Sequence, residues 1–442
     1  MGPDDRHNDM LHARDPLLEE YRVFKERYFP KGTFPLLEAR FKSTSVRSYY
    51  AYLISRYIRE NTIPTIKSKS ELFDKVIPLT VEVIIAIQYY HNQILDAKSG
   101  KATLSEAKLN MTSADSLKHH LYQYLRDRNG IEPEERETIF HFTDLMFYCV
   151  DIGQFIEKTG TTFDQYQKKE CYNTQKIYKK LLKNKNEFIW PESDESIRSQ
   201  DFQMRLLTKN ITQQSSIGHL PRSKKIISDA LVLAESMIES DVIRTTRSGF
   251  IGKEAFADLY FKKISLTCGA LFVLTTRLIM KLMALSETSK EGRALLAFAR
   301  RFGVMRQIVN DCCDWAPSHF GLNTKAKTAQ DALSDLKNRN ITLPLLFLLK
   351  EETTESTING FLKGELNEFN EAVVFQEIIA STSLKSAMKT GYGLANEAVF
   401  FLTNSNREKS AAWYLKDMAK IADNNNYYHR FYCVINNKNK GP

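Results

Sequence analysis

Apolar side chains recur at intervals of three and four residues along most of the chain, the period of a helix with one buried face. Val46, Tyr49, Tyr50, Leu53, Ile54, Tyr57 and Ile58 show it plainly. A second helix is predicted to open at Ser68, with Glu71 completing a capping box, and to run through a kink at Pro78 toward Asp96. A third covers about residues 135–158. Polar sequence follows from about 159 to 222, including WPESDESIRSQ and NITQQSSIGHLPRS, and reads as an insertion or flap. Helices resume at about 223–246, 253–286 and 290–315, with several more from 340 onward. No stretch alternates with the period of two that a half-buried strand needs. Residues 1–16 and 436–442 read as disordered ends. The expected fold class is all-α, one large single-domain helical bundle over residues 17–435.

Composition supports this reading. In 442 residues there are only 18 Gly and 12 Pro, too few for a turn-rich β-sandwich and suited to long helices. No uncharged apolar run reaches the roughly 18 residues that span a bilayer, and the longest candidate, near 265–285, is broken by Arg277 and Lys281. The first residues lack the apolar core of a secretory signal. Six cysteines, at 149, 171, 268, 312, 313 and 433, form no CxxC pair, so they read as reduced thiols in a cytoplasmic protein. The net charge of +9 suits an anionic ligand, but the basic residues are scattered. Only KIYKKLLKNKN at 176–186 is dense enough for peripheral contact with an acidic membrane, and a solvated helix face is the plainer reading. No zinc-finger spacing, RNP-like motif or RGG tract points to nucleic acid.

Chemistry concentrates in FGVMRQIVNDCCDW, residues 302–315. On a helix Asn310, Asp311 and Asp314 fall within one turn, with Gln307 one turn before Asp311. Two carboxylates and an amide oxygen on an otherwise apolar helix suit Mg²⁺; the plainer alternative is an exposed acidic helix end. Downstream, DLKNRNITLPLLFLL at 335–349 sets Asp335, Lys337 and Arg339 before an apolar helix.

Together these segments resemble the trans-isoprenyl diphosphate synthase and class I terpene synthase superfamily, whose second aspartate-rich motif, FQxxDDxxD, precedes a D-L-x-x-G-K-x-T-L-P stretch. Residues 306–314 read RQIVNDCCD, so Asn310 replaces the first Asp while Asp311 and Asp314 are kept. VEVIIAIQYYHNQILD at 81–96 is similar to the first-motif helix, keeping Glu82, Ile84, His91 and Asp96. There Asn92 and Gln93 replace two metal-binding aspartates, and Ile85 the acceptor-binding His. KSTSVRSYY at 42–50 resembles the G-G-K-R-x-R-P loop, keeping Arg47 but with Thr44 for its Lys. SLTCGALF at 265–272 resembles the K-T-x-x-L-F helix with Thr267 for the Lys, and Asp144 resembles part of a G-D pair.

The resemblance implies an isoprenoid synthase-type bundle around a central cavity, with the two motif helices facing each other. It implies Mg²⁺ as cofactor and an allylic isoprenyl diphosphate as substrate, and a homodimer is compatible with it. Asp96, Asp311 and Asp314 become the catalytic candidates, and Asn92, Asp96, Asn310, Asp311 and Asp314 the metal ligands. Arg47, Gln307, Lys263, Lys337 and Arg339 are the diphosphate-binding candidates; Val81, Ile84, Ile85, Gln88, Tyr89 and Phe272 would line the cavity. Loss of the Lys and His weakens a second diphosphate site, since charge-assisted contacts contribute about 1.5–3 kcal/mol each. Three readings follow: a class I terpene synthase-like cyclase or lyase, favoured by that loss; a prenyltransferase; or a non-catalytic partner subunit that keeps the fold.

Overall fold

The computed structural model describes residues 3–29, 32, 34–42, 46–59, 70–95, 103–168, 190, 191, 193, 199–213, 220–315, 333–351, 356–405 and 415. The N-terminal half carries α1 (Pro3–Tyr28), α2 (Pro35–Lys42), α3 (Val46–Arg59), α4 (Ile77–Leu95), α5 (Leu104–Asp127), α6 (Pro133–Gly160), α7 (Phe163–Lys168) and α8 (Gln200–Gln213). Then come α9 (Leu220–Met237), α10 (Asp241–Ser248), α11 (Glu254–Ile264), α12 (Ala270–Leu282) and α13 (Lys290–Asp314). The chain continues through α14 (Ser334–Lys337), α15 (Leu343–Lys350), α16 (Thr357–Lys363), α17 (Glu371–Ala380) and α18 (Ser383–Ser405). The described residues contain no strand; an isolated antiparallel bridge joins Thr162 to Asn340. The all-α expectation is met.

The helix starts follow local chemistry. Thr103 and Glu106 form a capping box at α5, while Ser240 and Ser289 cap α10 and α13 with their hydroxyls. Helix α1 begins at Pro3, inside the stretch read as a disordered N-terminus. The Ser68 capping box and the 176–186 basic run lie outside the described residues, as do 436–442 and most of the 159–222 segment. What is described of that segment is not a polar flap throughout. Helix α8 buries Phe202, Leu206, Leu207 and Ile211 and packs on α6.

Among the described residues, two single-turn π-helices interrupt the bundle. The first, Leu72–Val76, runs directly into α4, where Pro78 has no N–H to give and its ring crowds the preceding turn. The second, Ser265–Gly269, joins α11 to α12, with the Ala270 N–H reaching back to the Ser265 carbonyl. Three helices meet at this second π-turn. A methyl group on Gly153 of α6 would lie 2.6 Å from the Thr267 side chain, and one on Gly303 of α13 would lie 2.6 Å from the Gly269 Cα. Small residues therefore let α6 and α13 approach the π-turn backbone almost without a gap, and that contact sets the spacing of every side chain beyond it.

Gly303→Val is accordingly expected to destabilise the protein by about 2–3 kcal/mol, because neither backbone can yield. Gly391→Ala, where the new methyl meets Ile308 at an ordinary 3.6 Å, is expected to be neutral or slightly stabilising. Urea midpoints measure both; equal effects would show that the Gly303 contact is not tight.

The stretch Glu254–Leu282 is long and apolar enough to cross a membrane, but 89% of its most apolar window is buried inside the fold. It is the central core helix, packed on α6, α3 and α13.

Candidate functional site

Helix α6 is apolar on most of its length, yet Asp151, Gln154 and Glu157 recur on it at three-residue spacing. Each meets a different neighbour. Asp151 lies 3.8 Å from His91 Nδ1 on α4. Burial, with Lys118 and Lys209 nearby, pushes the His91 imidazole down to about 4, so it is neutral at ordinary pH. Gln154 donates its amide N–H to the Asn92 Oδ1 at the end of α4. Glu157 accepts from the Lys263 ammonium at 3.1 Å and from the Asn340 amide at 3.2 Å. The two helices bearing the sequence motifs are thus tied to one face of α6, α4 directly and α13 through Lys263.

On α13, Asp311 and Asp314 are each 1% exposed. Asp311 accepts from the Tyr260 hydroxyl at 2.7 Å and from the Gln307 amide at 2.8 Å. Asp314 accepts from the Ser334 hydroxyl at 2.8 Å and the Asp335 backbone N–H at 3.0 Å, closing the first turn of α14. The chain after α14 is held to the end of α6, with Ile341 N–H donating to the Thr161 carbonyl and Phe163 N–H to the Arg339 carbonyl. That pairing brings Asn340 to Glu157.

The electrostatics are those of a crowded acidic nest around Lys263, with Lys158 also acting on Glu157. Burial alone would lower the Lys263 ammonium, but Glu157, Asp311 and Asp335 outweigh it and hold it above its ordinary value. Burial raises Glu157 too, yet Lys263 and Lys158 keep it below the usual carboxylate range. Burial pushes Asp311 up against the pull of Lys263. Asp335 goes well above the usual range, first from burial and then from Asp314 and Asp311 beside it. An excess of buried acid over ammonium suits a divalent cation with oxygen ligands. Among the described residues no three acidic, histidine or cysteine side chains already enclose a cation position. Mg²⁺ commonly completes its shell with phosphate oxygens and water around one or two carboxylates, and the residues present fit that manner of binding.

The remaining sequence candidates divide. Gln307 and Lys263 are in the nest; Asn310 is exposed beside it, and Asp96 lies outside the described residues. Lys337 and Arg339 are not brought to the carboxylates. Lys337 pairs with Glu371 at 2.7 Å, and Arg339, at positive φ, lays its guanidinium 5.5 Å from the centre of the Phe361 ring. Val81, Ile84 and Ile85 are packed in the hydrophobic core. Phe272 stacks edge-on with Tyr50 and Phe302, Gln88 is half-buried, and Tyr89 is 38% exposed under the Arg40 guanidinium. Asp144 takes the Tyr122 hydroxyl, away from the nest. Arg47 stands apart as well, between Cys268 and Phe272. Gln154, Glu157 and Tyr260 were not singled out from sequence. For Gln154 and Glu157 the signal was available on α6, where polar residues three apart in an apolar stretch mark a face turned inward.

No family model matches the sequence, and no curated protein is found similar to it. Solved structures are. A decaprenyl diphosphate synthase from Rhodobacter capsulatus is similar over 96% of this chain and 99% of its own, at 13% identity and a TM-score of 0.53. A geranylgeranyl pyrophosphate synthetase from the archaeon Geoglobus acetivorans covers 96% and 99% at 13% identity and a TM-score of 0.54. A polyprenyl synthase from Caulobacter crescentus CB15, complexed with calcium and isoprenyl diphosphate, covers 94% and 96% at 12% identity and a TM-score of 0.54. At these identities the likeness shows the fold: the chain has the all-α fold of isoprenyl diphosphate synthases.

Proposed function

We propose that the protein binds an allylic isoprenyl diphosphate with Mg²⁺ and transfers the prenyl group to an acceptor. The observation that carries this is the nest of Glu157, Asp311 and Asp335 around the buried Lys263, with the buried Asp314 beside Asp335, where α6, α11 and α13 meet, in a fold shared with solved polyprenyl synthases. Bound Mg²⁺ would neutralise the diphosphate leaving group. This chain's residues prepare for that. Tyr260 and Gln307 orient Asp311, the Asp314 carboxylate fixes the chain that follows, and Lys263 holds a positive charge against the acids in a buried setting. In the transfer, the allylic C–O bond breaks with its electron pair leaving on the diphosphate. The acceptor's electron pair forms the new bond, and the acceptor loses a proton.

Cyclisation or rearrangement of the allylic cation without an acceptor, a lyase reaction, is the second reading. It is favoured by Ile85, which is buried and puts no hydrogen-bonding group where the family pattern has a His. Incubation with allylic diphosphates of several lengths and Mg²⁺, with and without isopentenyl diphosphate, separates the readings. Longer prenyl products that need both acceptor and Mg²⁺ are expected. Cyclic or alcohol products without acceptor would favour the second reading, and no turnover under any condition would leave a partner subunit.

A further inference from the structure

Two consecutive lysines close α11, and their side chains diverge. Lys262 turns to the outside, 2.6 Å from Glu235 and 2.7 Å from Asp258. Lys263 turns inward. It is 3% exposed, and its Nζ lies 3.1 Å from Glu157 Oε2 and 5.4 Å from the centre of the Tyr260 ring. The Tyr260 hydroxyl donates to Asp311, so an ammonium and a phenol one turn apart on α11 engage the acids of α6 and α13 together. An ammonium this far from water has lost its hydration and depends on the carboxylates around it. Lys158 also acts on Glu157, but Lys263 is the ammonium that Glu157, Asp311 and Asp335 all feel.

The acids themselves are unequally engaged. Both Glu157 oxygens accept from protein donors, Oε2 from Lys263 and Oε1 from the Asn340 amide at 3.2 Å. Both oxygens of Asp311 and both of Asp314 accept as well. Asp335 is the acid of the nest whose side chain makes no hydrogen bond among the described residues. The distances on the Glu157 side suit an ammonium. Mg²⁺ holds its oxygens at about 2.0–2.1 Å in an octahedron, whereas 3.1 Å is the length of a hydrogen bond from nitrogen.

We propose that the Lys263 ammonium is a built-in substitute for a divalent cation: it fills the place beside Glu157 and Asp311 that a metal would take, and leaves divalent ions the side of Asp335. Two cations in contact with Glu157 would repel each other in a setting where water screens little. The tethered charge is present at any Mg²⁺ concentration, so an anion entering the nest meets one positive group before any metal binds. That role presupposes that divalent ions bind in the nest, as the transfer reading has it, but not that a prenyl group is transferred.

The test removes the ammonium and asks whether metal takes its place. Urea midpoints of the full chain, wild type and Lys263→Met, are measured with and without Mg²⁺ at constant ionic strength, and calorimetric titration with Mn²⁺ counts bound ions. Lys263→Met is expected to bind one Mn²⁺ more per chain than wild type, or to bind Mn²⁺ about tenfold or more tightly. Mg²⁺ should restore part of its lost midpoint while moving the wild-type midpoint less. Lys263→Met with Glu157→Gln should lose the added binding, because the vacated place has lost its carboxylate. Lys262→Met, which removes a charge outside the nest, should titrate like wild type. If Lys263→Met does not fold in EDTA, its refolding yield with and without Mg²⁺ reads the same point. Equal Mn²⁺ titrations in wild type and Lys263→Met, with no Mg²⁺-dependent recovery, would overturn the substitution of metal by ammonium. No substrate is added, so that result leaves the transfer reading standing. Added Mn²⁺ binding in Lys263→Met, with no turnover by the wild type, would keep the ammonium as a cation substitute and end the transfer reading.

Discussion

Asp311→Asn is expected to lower turnover of an allylic diphosphate by about a hundred- to a thousand-fold, the scale on which single groups that stabilise a developing charge act. The substitution removes one negative charge from the nest and little else. The Asn carbonyl can still accept from Tyr260, and the Gln307 amide can turn its oxygen toward the new NH₂, so both hydrogen bonds of the wild-type side chain survive. Asp314→Ala is a different experiment. The two Asp314 oxygens accept from a hydroxyl and from a backbone N–H, and alanine leaves both donors without a partner. That variant should cost about 1–3 kcal/mol of stability as well as activity. The measurement is initial rate against Mg²⁺ concentration, beside a urea midpoint for each variant. Wild-type turnover and Mg²⁺ dependence in Asp311→Asn would show that the cluster is structural.

The separation of these two carboxylates was not legible from sequence. Spacing placed Asp311 and Asp314 on one helical face, and they are on one face; the partners that tell them apart come from elsewhere. Tyr260 lies 51 residues before Asp311 in the sequence, and Ser334 lies 20 residues after Asp314. Periodicity reports which side of a helix is buried and nothing about what is buried against it. For that reason α3 and the second-motif helix could be drawn from the apolar pattern, while Glu157 remained one charge among many. Residues 333–342 misled for the same reason. Read as a basic approach to the diphosphate, they instead lie back along the end of α6, and the backbone bonds of Ile341 and Phe163 turn Lys337 and Arg339 outward.

Lys263→Met is expected to be the most destabilising single change in the nest, by about 3–5 kcal/mol, because removing one partner of a buried pair leaves the others charged and desolvated. Lys263 is 3% exposed and bonds Glu157 at 3.1 Å, with Asp311 and Asp335 also drawing on its charge. A methionine fills its volume, so the loss is electrostatic rather than a cavity. The pH dependence has a definite sign. Without the ammonium, the folded-state values of Asp311 and Asp335, already above the ordinary range, rise further. Groups with raised folded values contribute stability at low pH and lose it as pH rises through those values, so the deficit against wild type should be smaller at pH 5.5 than at pH 8. Lys263→Met with Glu157→Gln removes both charges of the closest pair and should recover part of the loss. Urea denaturation at the two pH values reads all of this. An unchanged midpoint in the single variant, or a deficit that grows as pH falls, would mean that Glu157, Asp311 and Asp335 are balanced by something other than Lys263.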